Sequence, residues 1–205
     1  MAVEFLFDGP DGASRTLVLA HGAGAPMVSP FLATVARALA TGGIRVARFE
    51  FPYMRRRAGG RAGAPDREPV LREAWLTAIA DLGGGGAVAI GGKSMGGRIA
   101  SLVADEAGVR ALVCLGYPFH PPGQPAKLRT KHLADLETPT LIVQGTRDPF
   151  GGREDVAGYA LSPSIRVAWI EDGDHSFKPR ASSGRTEKQN LEEAIALVAA
   201  FLQKT

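Results

Sequence analysis

Ser94 lies in Gly92-Lys93-Ser94-Met95-Gly96, after the apolar run Ala87-Val88-Ala89-Ile90 and ahead of Arg98-Ile99-Ala100-Ser101-Leu102-Val103. A short strand running into a glycine-flanked serine and out into a helix makes a sharp turn that lifts the hydroxyl above a sheet. The residues at Gly92, Gly96 and Gly97 must be small there, because Cβ atoms would collide inside the turn. The helix that starts here aims unpaired backbone N–H groups, above all that of Met95, at any negative oxygen forming on a bound carbonyl. The bland alternative is an ordinary strand-turn-helix junction with an idle serine. A phosphate-binding loop fails on layout: Ala87 stands where its first glycine is needed, and an apolar strand fills the place of the phosphate-cradling loop.

A serine hydroxyl is a poor nucleophile near neutral pH and needs a base held by a carboxylate. Of the four histidines, His175 lies in Gly173-Asp174-His175-Ser176-Phe177 after the last apolar run. The chain order nucleophile, acid, base selects it over His21, His120 and His132. Asp148, in Gln144-Gly145-Thr146-Arg147-Asp148-Pro149, follows the penultimate apolar run and is the favoured acid. Asp172 and Asp174 are its rivals, but their closeness to His175 in the chain gives poor geometry for its Nδ1 and suits a turn-stabilising role. His21-Gly22-Ala23-Gly24-Ala25 follows another apolar run. An amide there, Ala23 as first choice with Gly22 and Gly24 as alternatives, can join Met95 as a second oxyanion donor. His21 itself is read as a loop brace.

These groups must be positioned by strands. Val3–Phe7, Thr16–Ala20, Ile44–Phe49, Ala87–Ile90, Ala111–Leu115, Thr140–Gln144 and Ile165–Ile170 are apolar runs. The central ones are nearly continuous, as strands covered on both faces must be. Between them lie helical stripes. One opens at Ser29-Pro30, with Phe31, Leu32, Val35 and Leu39, and another runs from Val70 to Leu82. The last follows the capping box Thr186-x-x-Gln189. Such alternation predicts an α/β fold with a mostly parallel sheet of about seven strands and helices on both faces. Functional groups then gather at the carboxyl ends of the strands, and each candidate above sits just there.

The chain has 205 residues, 45% hydrophobic and 22% charged, which fits one globular domain over 1–205. A net charge of +3 with dispersed basic residues argues against a nucleic-acid binder. The single cysteine, Cys114, cannot form an internal disulfide and reads as a buried small hydrophobe. No segment reaches membrane-spanning length and the N-terminus lacks a basic n-region, so the expectation is a cytoplasmic protein that binds no membrane. No metal cluster or dinucleotide fingerprint is seen, so no cofactor is expected.

Taken together, His21-Gly22-Ala23-Gly24, Gly91 to Arg98, Gln144 to Asp148 and Gly173 to Phe177 resemble the α/β-hydrolase superfamily over essentially the whole chain. Within it they look like the small lidless group that includes testis-expressed and NSL-complex hydrolase-like proteins. Dienelactone-hydrolase-like enzymes are more distant, and those carry a cysteine nucleophile where this chain has Ser94. The resemblance implies Ser94 as nucleophile, Asp148 as acid and His175 as base, acting on a small-molecule acyl substrate. Since some members of the group are scaffolds, a catalytically inactive interaction module is the competing reading.

No cap domain is expected, because the interval between Leu115 and Thr140 holds only a proline-rich loop and one short helix around Lys127–Leu136. The stretch Tyr53-Met54-Arg55-Arg56-Arg57 through Arg61 and Arg67 reads as a solvated loop on the active face, with receipt of an anionic group as the sharper alternative.

Overall fold

The computed structural model describes residues 3–58 and 63–205. Its strands are β1 (Phe5–Asp8), β2 (Thr16–Ala20), β3 (Arg45–Phe49), β4 (Ala89–Lys93), β5 (Leu112–Leu115), β6 (Thr140–Gly145) and β7 (Ile165–Ile170). They form one seven-stranded sheet in the order β1-β3-β2-β4-β5-β6-β7. Only β1 runs antiparallel to its neighbour; every other pair is parallel. The helices are α1 (Pro30–Thr41), α2 (Pro52–Ala58), α3 (Glu68–Asp81), α4 (Met95–Ser101), α5 (Ala104–Ala107), α6 (Arg153–Val156) and α7 (Glu187–Leu202).

Alternation along the buried strands divides the core in two. Val18, Ile90, Leu112, Cys114 and Ile142 pack with Trp75 of α3 and Ile99 of α4 on one face. Leu17, Leu19, Val113, Leu141 and Val143 pack with Leu32 and Leu39 of α1 and Val198 and Leu202 of α7 on the other. Both faces of the central strands are therefore dry, which is why they carry almost no polar residue. Cys114 is buried, and burial pushes its thiol pKa well up.

Three local readings are corrected. β4 runs on to Lys93 rather than ending at Ile90, because pairing of Gly92 with Ala20 and of Lys93 with Leu115 carries it to the turn. The helix expected around Lys127–Leu136 is only a 3-10 turn, Lys131–Leu133. The Arg129 N–H donates to Phe119 O at 2.8 Å and so is not part of a helical ladder, and beyond the turn Asp105 takes the N–H groups of Glu137 and Thr138. Tyr53 to Arg57, read as a solvated loop, lie in α2, whose Tyr53 and Met54 are buried; Arg61 lies outside the described residues.

Two helix starts differ in their caps. Ser29 precedes α1 in extended backbone without a side-chain cap bond, and Pro30 removes one of the N–H groups that would need capping. Thr186 and Gln189 form the reciprocal capping box expected for α7. No helix among the described residues is long and apolar enough to cross a membrane.

Candidate active site

The six parallel strands β2 to β7 send their following loops off one carboxyl edge of the sheet. The turn after β4 is the tightest. Ser94 sits between strand and α4 with φ 52° and ψ −118°, a left-handed backbone that a side chain rarely adopts. The packing around it leaves no room for a side chain two residues to either side. A Cβ on Gly92 would fall 2.4 Å from Ala20 O, and one on Gly96 2.5 Å from the same atom. Trp75 of α3 donates its indole N–H to Gly96 O at 3.3 Å and so holds the turn from beneath.

The loop after β7 carries His175, and many bonds fix it. Asp174 accepts from the N–H groups of Ser176 and Lys178, at 2.7 and 3.0 Å. Phe177, at φ 70°, drives its ring into the core, and its carbonyl accepts from the Asn190 amide at 2.8 Å. Asp172 bonds Arg180 and faces Arg147, and those partners, the Arg180 hydrogen bond first, hold its carboxyl below the usual range. Asp172 and Asp174 thus hold the turn, and neither bonds the His175 ring.

That ring joins two residues distant in sequence. His175 Nε2 lies 2.8 Å from Ser94 Oγ, and Nδ1 lies 2.8 Å from Asp148 Oδ2. With Nδ1–H donating to the carboxylate, Nε2 is left to accept the serine proton, a tautomer assigned from the hydrogen-bond network. Asp148 is buried; its Oδ2 also accepts from Gln144 Nε2 at 2.9 Å and its Oδ1 from Phe150 N–H at 2.9 Å. The Phe150 ring lies against the imidazole, centroids 4.2 Å apart.

On the other side of Ser94 runs the loop after β2. A Cβ on Gly22 would sit 3.6 Å from Ser94 Cβ, and Ala23 lines the cleft with Ser94 and Met95. Met95 is the first residue of α4, so its N–H has no acceptor within the helix. His21 is fully buried beneath; its Nδ1–H donates to Gly22 O at 2.7 Å and its Nε2 accepts from Phe51 N–H at 3.1 Å. Burial holds its pKa down and keeps it neutral for that bracing task. The Tyr53 hydroxyl donates to Ala23 O at 3.1 Å, and Arg57 reaches the same carbonyl at 3.3 Å.

The remaining histidines stand apart: His132 Nε2 pairs with Ser101 Oγ at 2.8 Å, and His120 Nδ1 with Pro121 O at 2.9 Å. Sequence reasoning passed over two residues here. Gln144 is fully buried, donates to Asp148, Tyr117 O and Gly151 O, and accepts from Tyr117 N–H. A glutamine ending the apolar run Leu141-Ile142-Val143 was its signal. Lys93 points its ammonium at His175 O, 2.7 Å away, and lies 5.7 Å from the Phe31 ring centroid. Burial lowers its pKa to about 8, against the opposing pull of Asp148 and Asp174.

This mostly parallel sheet, with Ser94, His175 and Asp148 within bonding distance at its carboxyl edge, has an α/β-hydrolase architecture. A family model of the alpha/beta hydrolase domain matches residues 13–203, and the chain belongs to that family. The chain is also similar in fold to a dienelactone hydrolase from Anabaena variabilis, with 24% identity over 97% of this chain and 89% of that one, TM-score 0.71. An alpha-beta serine hydrolase homologue from Coxiella burnetii aligns at 21% identity over 97% and 90% of the two chains, TM-score 0.68. A serine hydrolase without a lid from Xanthomonas campestris aligns at 18% identity over 99% and 93%, TM-score 0.63. Consistent with the last, the interval from Gly116 to Pro139 adds no cap domain.

Proposed function

We propose that the chain is a serine hydrolase that cleaves a carboxylic ester or related acyl bond through an acyl-enzyme on Ser94. The observation that carries this reading is the unbroken relay from Ser94 Oγ through His175 to Asp148, with both contacts at 2.8 Å. The similarity to serine hydrolases, lidless ones included, adds to it.

In this reading Ser94 Oγ attacks the carbonyl carbon while its proton passes to His175 Nε2, and the carbonyl oxygen becomes an oxyanion. The Met95 and Ala23 N–H groups receive that charge. Asp148 stabilises the imidazolium and fixes its tautomer. As the tetrahedral species collapses, the bond to the leaving group breaks and His175 returns the proton to it. Water then attacks the acyl-enzyme, gives a proton to His175 and releases the acid, and that proton restores Ser94. The shallow cleft, without a cap, suits small or protruding acyl substrates.

A fluorophosphonate probe tests the reading. Wild type is expected to be labelled stoichiometrically, and Ser94→Ala and His175→Ala to remain unlabelled. An unlabelled wild-type protein would make the chain a hydrolase-fold scaffold instead.

A further inference from the structure

Two recesses meet at Ser94. One, about 840 Å³ with its mouth included, is walled by Phe31, Leu32, Lys93 and His175. The other, about 820 Å³ on the same measure, is walled by Met95, Arg98 and Arg129. Ala23 and Phe150 border both, so Ser94 stands on a divide. His175 lines only the first.

The two sides differ in charge. In the first recess the Lys93 ammonium is committed to His175 O and has Asp148 and Asp174 close by. In the second, Arg98 pairs with Glu68 at 3.1 Å and Asp66 pairs with Arg56. The Arg129 guanidinium has no acid partner among the described residues. Its backbone is nonetheless fixed: the N–H donates to Phe119 O at 2.8 Å and the carbonyl accepts from the Tyr117 hydroxyl at 3.0 Å. Partial burial and the nearby charge of Arg98 hold its pKa below the usual arginine value, the direction of a cation short of a counter-charge.

Proton transfer orients a substrate on this divide. His175 must reach the departing atom, so the leaving group belongs in the recess that His175 lines, and the acyl part falls to the other. We infer that the acyl part carries a second carboxylate, received by Arg129, while an apolar leaving alcohol rests against Phe31 and Leu32. The preferred substrate is then a half-ester of a short dicarboxylic acid. A guanidinium fork matches a carboxylate bidentately, and a neutral acyl chain would leave Arg129 without a partner in a partly dried cleft. This inference rests on Ser94 being the nucleophile.

The test compares mono-para-nitrophenyl glutarate with para-nitrophenyl valerate, which share a leaving group and acyl length. Wild type is expected to favour the glutarate half-ester in kcat/KM by roughly 10-fold or more. Arg129→Ala should bring the ratio to about 1, and Arg129→Lys to an intermediate value, since an ammonium cannot form the fork. Lys127→Ala, which removes an exposed charge from the same connection but outside the recess, should keep the wild-type ratio. Equal rates in wild type, or a preference that survives Arg129→Ala, would overturn the inference. So would an equal gain when the carboxylate is moved to the leaving group, as in the valeryl ester of para-hydroxybenzoate.

If neither ester turns over, protection of Ser94 from the fluorophosphonate decides. Glutarate should slow labelling of wild type but not of Arg129→Ala, and valerate should slow neither; no protection by glutarate sinks the inference. Labelling that is intact alongside a flat ester ratio removes only the carboxylate site. Labelling that is absent altogether removes the nucleophile itself.

Discussion

The loop that carries His175 and the loop that carries Ala23 flank the same serine but are held in opposite ways. Around His175, Asp172, Asp174, Phe177 and Asn190 tie the backbone to itself, to two arginines and to the core. Ala23, Gly24 and Ala25 are exposed, and their loop is held from below by His21, Tyr53 and Arg57. The side that would move protons is thus locked by a dense network, and the side that would steady developing charge hangs on a few struts. Losses on the first side should be near-total, and losses on the second graded.

The largest expected effect is on the locked side. Ser94→Ala or His175→Ala should lower kcat by about five orders of magnitude or more against an ester that wild type turns over. Retention of most activity in either would break the comparison at its root. Gln144→Leu comes next. It strips Asp148 of one bond and leaves buried groups of Tyr117 and Gly151 unpaired, at roughly 1–3 kcal/mol each. Denaturant unfolding should therefore show a loss of several kcal/mol, with kcat reduced further than KM is raised.

On the strut side, Tyr53→Phe removes one hydroxyl bond to Ala23 O, and kcat/KM should drop only about 3- to 10-fold, in line with a bond worth ~1 kcal/mol. A loss as deep as that of Ser94→Ala would erase the distinction between the loops. The last effect falls on stability instead of turnover, and it needs pH to reveal it. Lys93 has a folded pKa of about 8 against an unfolded 10.5, so between those values the unfolded chain binds more protons. Stability of wild type relative to Lys93→Met should therefore rise across that window. The gap of about 2.5 pH units caps the gain at about 3 kcal/mol, at ~1.4 kcal/mol per pH unit. A difference that stays flat from pH 8 to 10.5 would show that the ammonium is not desolvated beside the His175 loop.

What the sequence disclosed followed from periodicity and spacing. Continuous apolar runs such as Leu141-Ile142-Val143 announced strands covered on both faces, and the carboxyl-edge rule then pointed to Ser94, Asp148 and His175 without any knowledge of strand order. The elements that escaped depended on partners far along the chain. Tyr53 to Arg57 have the composition of a solvated loop, yet the helix forms because Tyr53 and Met54 find buried seats and Asp66 receives both the Tyr53 N–H and Arg56. Lys93 drew no reading of its own in the sequence, since nothing local indicates that a carbonyl 82 residues away will meet it. Arg129 gave no signal at all, because an unpaired cation is a property of its surroundings and not of its neighbours in the chain.

The left-handed backbone at Ser94 has a cost of its own. A conformation that glycine adopts freely and serine does not is one the folded chain would relax by giving up the side chain, Cβ included. Glycine would suit the turn better on conformational grounds alone, so the serine stands there against the backbone's own preference.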